Sequence, residues 1–116
     1  MAVTFHSPVI FVSDINVSET FYHEVLDQEK EFDFGTNILF KSGLSLWQIK
    51  AGHEIESIAG SSTDKNTFEL YFETEDIAGS VRKIQSAGVE MLHGLKTESW
   101  GQQTIRFFDP DHHLIE

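Results

Sequence analysis

This chain says nearly the same thing twice, and a chain built from two copies of one pattern is confined to folds with two equivalent halves. Phe5 to Ile15 reads FHSPVIFVSDI, a β-rich run that ends in Asp-Ile ahead of a helical segment. Phe68 to Ile77 reads FELYFETEDI and does the same, so Asp14 and Asp76 stand 62 residues apart. The later parts echo at an offset of 68: FKSGLSLWQ (Phe40 to Gln48) lies over FDPDHHLIE (Phe108 to Glu116), matching Phe40 with Phe108 and Leu46 with Leu114. Such a repeat implies pseudo-twofold symmetry, so each half predicts where the other points its polar residues. At these offsets Ser7 falls opposite Glu69, and Gln48 opposite Glu116.

Each half reads as strand, helix, then strands. In the first, Thr4 to Val12 is a strand. Asn16 is the expected N-cap of the first helix, with Glu19 three residues on as a capping box needs. Val17, Phe21 and Val25, with Tyr22 and Leu26 beside them, form its apolar stripe. Asp33 to Phe40 and Leu44 to Ile49 read as strands joined by a turn at Lys41-Ser42-Gly43, with one further short strand near Lys30 to Phe34. Residues 50–66 are rich in Gly, Ser and polar residues and read as a connector, with Ile55 and Ile58 as anchors. In the second half, Phe68, Leu70 and Phe72 alternate with Glu69, Tyr71 and Glu73. Helix two runs from about Ile77 to Ala87, with Ile77, Val81 and Ile84 on one stripe and Gly88 as its left-handed stop. Val89 to His93 is a short strand, and Thr104 to Phe108 with Leu114 to Glu116 make a final hairpin. Ile105 and Phe107 face the helix there, and Thr104, Arg106 and Phe108 face away.

The expected fold is α+β: two βαβββ modules related by a pseudo-twofold axis, with curled mixed or antiparallel sheets enclosing a cleft and helices outside. The 116 residues suit one domain, with a first module over about 1–50, a connector over about 51–66 and a second module over about 67–116.

Composition narrows the partners. Ten Phe and 40% hydrophobic residues permit a packed core. A formal net charge of -11 argues against nucleic acid, whose phosphates need a basic face. The absence of cysteine excludes disulfides, thiolate metal sites and cysteine nucleophiles. No run approaches the roughly 18 apolar residues of a membrane span. MAVTFHSP lacks the basic-then-apolar pattern of a secretion signal, so a cytoplasmic location is expected.

Two stretches carry a family resemblance. VSDINVSETFYHEVLD resembles the first helical segment of the vicinal oxygen chelate superfamily, which includes glyoxalase I and the bleomycin- and fosfomycin-resistance proteins. WGQQTIRFFDPDHHLIE resembles its closing hairpin, an aromatic strand, Asp-Pro-Asp-Gly and a terminal Glu. The resemblance spans essentially the whole chain. It implies paired modules that cup a small-molecule ligand, often with one divalent metal ion (Mg, Mn, Ni or Zn), and commonly a homodimer.

Carried over by position, the metal ligands implied are Ser7, Gln48, Glu69 and Glu116, the same four that the repeat pairs. The departures are Ser7, where metal-using relatives usually have His or Gln, and Glu69, where they often have His. The set left is oxygen-only, suited to Mg or Mn rather than Zn. Glu69 and Glu116 are also the candidate catalytic residues. Two carboxylates at close range must share a metal or a proton, and either state ligates or moves protons; both residues could equally be solvent-facing. Arg106 reads either as a surface ion pair or as an anchor for a carboxylate- or phosphate-bearing ligand. Tyr71, Phe108 and Trp100 read as walls of a ligand cleft or as ordinary packing. Trp47 reads as core packing against the first helix. His112 stands where the family has Gly, so it is expected at positive φ. His112 and His113 are expected to be solvent-exposed, and their adjacency on a hairpin argues against joint ligation.

Three functions remain open on these residues: a divalent-metal-dependent lyase, isomerase or transferase acting on adjacent substrate oxygens, a metal-free binding and sequestration protein of bleomycin-resistance type, or a structural or regulatory module with no ligand. Ser7 and the acidic charge favour the second. Gln48 and the Glu pair favour the first.

Overall fold

The structure, a computed structural model, describes residues 2–60 and 66–116. It divides into two compact units, Met1–Ser61 and Ser62–Glu116. The first contains β1 (Val9–Phe11), α1 (Ile15–Glu24), β2 (Lys30–Asp33), β3 (Asn37–Phe40) and β4 (Ser45–Trp47). The second contains β5 (Glu69–Leu70), α2 (Ile77–Ser86), β6 (Met91–Thr97), β7 (Gln103–Phe108) and β8 (Leu114–Ile115). Both are βαβββ, as the repeat requires. The sheet orders are the same, β1-β4-β3-β2 and β5-β8-β7-β6. In each, the first strand runs parallel to the last and the other pairs are antiparallel. The fold is α+β with two four-stranded mixed sheets.

The register corrects the symmetry partners. Leu46 pairs with Ile10 on one side and Ile38 on the other. Ile115 pairs with Leu70 and Phe107 in the same way, and both Leu46 and Ile115 are fully enclosed. The first strands are therefore related by 60 residues and the hairpins by 69. The turns agree, because Gly43 (φ +102°) and His112 (φ +66°) are 69 apart. Two bonds that extend the ladders agree with both offsets, their donors 60 apart and their acceptors 69: Val12 N donates to Trp47 O, and Phe72 N to Glu116 O. Glu69 thus occupies the place of Val9 rather than Ser7, and Glu116 that of Trp47 rather than Gln48. Two local causes explain the difference. Unit two inserts Glu73, Thr74 and Glu75 between strand and N-cap, where unit one has only Ser13. In the hairpins, the chance identity of Phe40 with Phe108 masks a one-residue slip.

The helix starts are decided by short-range hydrogen bonding. Asp14, not Asn16, caps α1: its backbone is extended (φ -139°) and its Oδ1 accepts from Asn16 N at 3.0 Å and Val17 N at 3.3 Å. Glu19 instead meets Lys30 Nζ at 2.9 Å. Moving the cap back rotates the buried stripe to Ile15, Ser18, Phe21 and Tyr22, which leaves Val17 half-exposed. α1 lies on β3 and β4, where Tyr22 meets Phe40 with ring centroids 6.0 Å apart. Asp76 caps α2 through Gly79 N, and Gly88 (φ +71°) follows its end as expected. α2 buries only Ile84 and lies on β6; the core of this unit also holds Ile105, Phe107 and Ile115.

In the connector, Ile55 is half-buried, but Ile58 is 82% exposed and anchors nothing. The rest of that expectation, at 61–65, lies outside the described residues. No helix among the described residues is long and apolar enough to cross a membrane.

Candidate functional site

The site grows from the β7–β8 hairpin. Its turn, Asp109 to His113, is held by one carboxylate: Asp109 Oδ1 accepts from Asp111 N (2.9 Å) and His113 N (2.8 Å), while Oδ2 meets His113 Nδ1 at 2.7 Å. His113 is therefore drawn onto a buried Asp and is not solvent-exposed as expected. His112 is exposed, sits on Glu90 at 2.7 Å, and stacks flat on Phe108 with centroids 3.9 Å apart. The two rings go to different partners.

Strand alternation then separates two faces. Ile105 and Phe107 enter the core, so Arg106 and Phe108 take the other side. Glu116 stands in register with Arg106 across β7–β8, and β6 pairs His93 with Arg106 on the far side. Leu70 O and Phe72 N both bond to Glu116, which sets Tyr71 next to it. One row of polar side chains therefore crosses the second sheet: Tyr71, Glu116, Arg106, His93.

Arg106 is the centre of this row. Its Nε donates to Glu116 Oε1 at 2.9 Å, and its Nη2 forms an ion pair with the same oxygen at 2.7 Å. Its Nη1 donates to Glu98 Oε1 at 3.0 Å and meets His93 Nε2 at 3.0 Å. A guanidinium can only donate, so His93 Nε2 is an acceptor. The other ring nitrogen, Nδ1, lies 2.7 Å from Gly94 O, which can only accept. His93 is thus the neutral tautomer with its hydrogen on Nδ1. Glu98 Oε1 also accepts from Thr104 Oγ1 at 2.9 Å, with Lys96 Nζ at 3.6 Å. The Thr104 hydroxyl first, and then the Arg106 guanidinium, hold the Glu98 carboxyl below its usual range. The Glu98 carboxylate in turn holds the Arg106 pKa above its ordinary value, with Glu116 adding to it. Among the described residues, no buried side-chain nitrogen or oxygen lacks a hydrogen-bond partner.

A second chain of bonds joins the aromatic candidates. Trp100 Nε1 donates to Gln102 Oε1 (2.9 Å), Gln102 Nε2 donates to Tyr71 Oη (2.9 Å), and Tyr71 Oη donates to Glu73 Oε2 (3.0 Å). The bond to Glu73 raises the Tyr71 phenol above its ordinary pKa, and the nearby charge of Glu116 adds to this. Tyr71 and Trp100 are 50% and 66% exposed, so both rings present open surface.

The expected site residues therefore fall into two groups. Arg106, Tyr71, Trp100, Phe108, Glu116 and Glu69 all belong to the second unit. Glu69 is exposed, two residues before Tyr71 and on the same face, paired with Leu114. Ser7 and Gln48 belong to the first unit. Ser7 is half-buried just ahead of β1. Gln48 Oε1 accepts from Ile15 N at 2.8 Å and so completes the start of α1. Trp47 packs on Phe11 and, edge-on, on His53, rather than against the helix. Three participants were missed from sequence: His93, Glu98 and Gln102. Gln102 and Thr104 share strand parity with Arg106, and that signal was available. His93 and Glu98 reach Arg106 only through the pairing of β6 with β7.

The donor chemistry does not fit a divalent metal at these positions. The Gln48 oxygen is spent on a backbone N–H, and Glu116 holds a guanidinium 2.7 Å from the oxygen a cation would need. Among the described residues, no group of three or more His, Asp or Glu could hold a metal ion.

The glyoxalase-like domain model matches residues 5–116, and the chain belongs to that family, within the vicinal oxygen chelate superfamily. A fosfomycin resistance protein, FosX, of Listeria innocua is 26% identical over 110 residues, covering 92% of this chain and 82% of that protein. A protein of unknown function from Agrobacterium tumefaciens is 33% identical with a TM-score of 0.84, covering 99% of this chain and 92% of that one. Lactoylglutathione lyase from Agrobacterium tumefaciens shares the fold (TM-score 0.68, 15% identity, 99% and 92% covered).

Proposed function

We propose that this protein binds a small molecule without a resident divalent metal, on the face of the second sheet that carries Tyr71, Arg106, Glu116 and Trp100. Of the functions left open by the residues, this is the binding and sequestration type rather than the lyase type. The observation that carries it is the closed pair of Glu116 and Arg106: the carboxylate that would ligate a metal already holds a cation at 2.7 Å. A second cation would have to displace the guanidinium or share its oxygen with it. The exposed rings of Tyr71 and Trp100, tied together through Gln102, supply the apolar surface that small-molecule sites use.

The metal-dependent reading keeps one support. Glu69 and Glu116 share a face of the second sheet, which is what a pair of ligands or an acid–base pair would need. The experiment that separates the two is dialysis against Mn, Ni, Zn and Mg, followed by thermal melting and measurement of bound metal. No retained metal and an unchanged melt are expected. Stoichiometric metal that is lost in Glu116→Ala would overturn the proposal. A homodimer and a cytoplasmic location are part of the same proposal; light scattering and cell fractionation test them.

A further inference from the structure

We infer that Glu98, Glu116 and His93 close Arg106 to anions, so that the ligand admitted on this face is neutral or cationic. The inference rests on the reading that this face takes the small molecule, and it adds the class of ligand.

A lone arginine on a strand face is an anion receptor by default, because its edges each offer two parallel N–H groups to a carboxylate or phosphate. Here neither edge is available. The Nε/Nη2 edge is filled by Glu116 Oε1. The Nη1/Nη2 edge has lost Nη1, whose two hydrogens go to Glu98 Oε1 and His93 Nε2. Nε and both Nη1 hydrogens are used, and Nη2 lies 2.7 Å from Glu116 Oε1, so no edge keeps the two parallel N–H groups that bidentate binding needs. An anion would have to expel one of the chain's own carboxylates.

The charge balance points the same way. Glu98 and Glu116 balance Arg106 and Lys96, whose Nζ lies 3.6 Å from Glu98 Oε1, so the cluster carries no net positive charge for an anion to meet, and His93 Nε2 faces Arg106 as an acceptor. Glu73 adds a further carboxylate, bonded to Tyr71. The open rings beside the cluster, Tyr71 and Trp100, carry negative faces that attract cations and stack with planar groups.

Three probes of one shape test this: benzamidine (cation), benzamide (neutral) and benzoate (anion). Each is titrated into the protein while the Trp100 indole and Arg106 Nε–H resonances are followed by NMR. Benzamidine is expected to bind about tenfold or more tighter than benzoate, with benzamide between them. In E98Q/E116Q, which keeps the side-chain shapes and removes both charges, benzoate is expected to gain affinity and to shift Arg106 Nε–H. If that variant does not fold, E116Q alone is used; it frees the Nε/Nη2 edge from a charged competitor. Benzoate moving wild-type Arg106 Nε–H with an affinity equal to that of benzamidine would overturn the closure, as would no gain of benzoate binding in the variant. If no probe moves any wild-type resonance, the ligand-site reading fails, while a gain of benzoate in the variant still upholds the closure.

Discussion

Glu116 stands across the β7–β8 ladder from Arg106 and sets one carboxylate oxygen against two of its nitrogens, Nε at 2.9 Å and Nη2 at 2.7 Å. Both side chains are largely covered, with 21% of Arg106 and 11% of Glu116 exposed. Truncating either partner leaves a poorly solvated charge, so Arg106→Ala and Glu116→Ala should each lower the melting temperature. The double variant should lose less than the sum of the two, because the second truncation removes a charge already orphaned. Thermal melts of the four proteins check this. Strict additivity would mean that the pair is not coupled.

Glu98 should be the carboxylate most sensitive to its hydroxyl neighbour. Its lowered pKa is caused first by Thr104, so Thr104→Val is expected to move its titration up towards the ordinary glutamate range. The sign for stability follows. A carboxyl with a folded-state pKa below its unfolded value favours folding at pH above the unfolded value, and that contribution is lost as the pH falls through the folded value. Thr104→Val should therefore narrow the stability gap between neutral and acid pH. Carbon-detected NMR titration of Glu98, with melts at pH 7 and pH 3, reads both effects. An unmoved titration in Thr104→Val would remove the hydroxyl as the cause.

His93 should be found as the Nδ1–H tautomer at neutral pH, because Arg106 needs an acceptor at Nε2 and Gly94 O needs a donor at Nδ1. Nitrogen chemical shifts of the imidazole distinguish the two tautomers directly. In Arg106→Ala the demand on Nε2 disappears, and the preference should weaken. A wild-type His93 with its proton on Nε2 would contradict the arrangement around Arg106.

The start of α1 offers a test of Gln48. Its leading N–H groups are all used: Ile15 N by Gln48 Oε1, Asn16 N and Val17 N by Asp14 Oδ1, and Ser18 N by Asp14 O. Asp14→Ala should cost about 1 kcal/mol, as N-cap losses do. Gln48→Ala should cost a similar amount, about 1 kcal/mol, by leaving a part-buried N–H without its acceptor. Chemical denaturation measures both. A neutral Gln48→Ala would return this residue to the list of possible ligands.

Local rules carried much of the fold. The strand–helix–strand order of both halves, the stop at Gly88 and the inward parity of Ile105 and Phe107 all depend on residues close in sequence, and all are present; the positive φ of His112, also present, was implied by the family resemblance. Where the reading of α1 missed, the cause was equally local: Asp14 competed with Asn16 for the cap, and an extended Asp two residues ahead of the expected start won. The register could not be read, because matching letters at Phe40 and Phe108 hid a slip that only the hydrogen-bonded ladder reveals. That slip set Gln48 opposite Glu116, and the longer segment ahead of Asp76 set Ser7 opposite Glu69, though neither pair are symmetry mates.

The surroundings of Arg106 show the division most clearly. By itself the sequence determined that Arg106 would face away from the core, since it lies between Ile105 and Phe107 on an alternating strand. It left open whether a surface acid or an incoming ligand would meet the guanidinium. Tertiary structure decided that through β6, whose register shifts between His93 and Lys96, so that three residues of advance on that strand match two on β7. Counting parity along β6 therefore fails, and nothing local in the chain predicts that His93 would pair with Arg106 or that Glu98 would reach it. A bulge is a compromise between two strands, and its outcome exists only once both are paired.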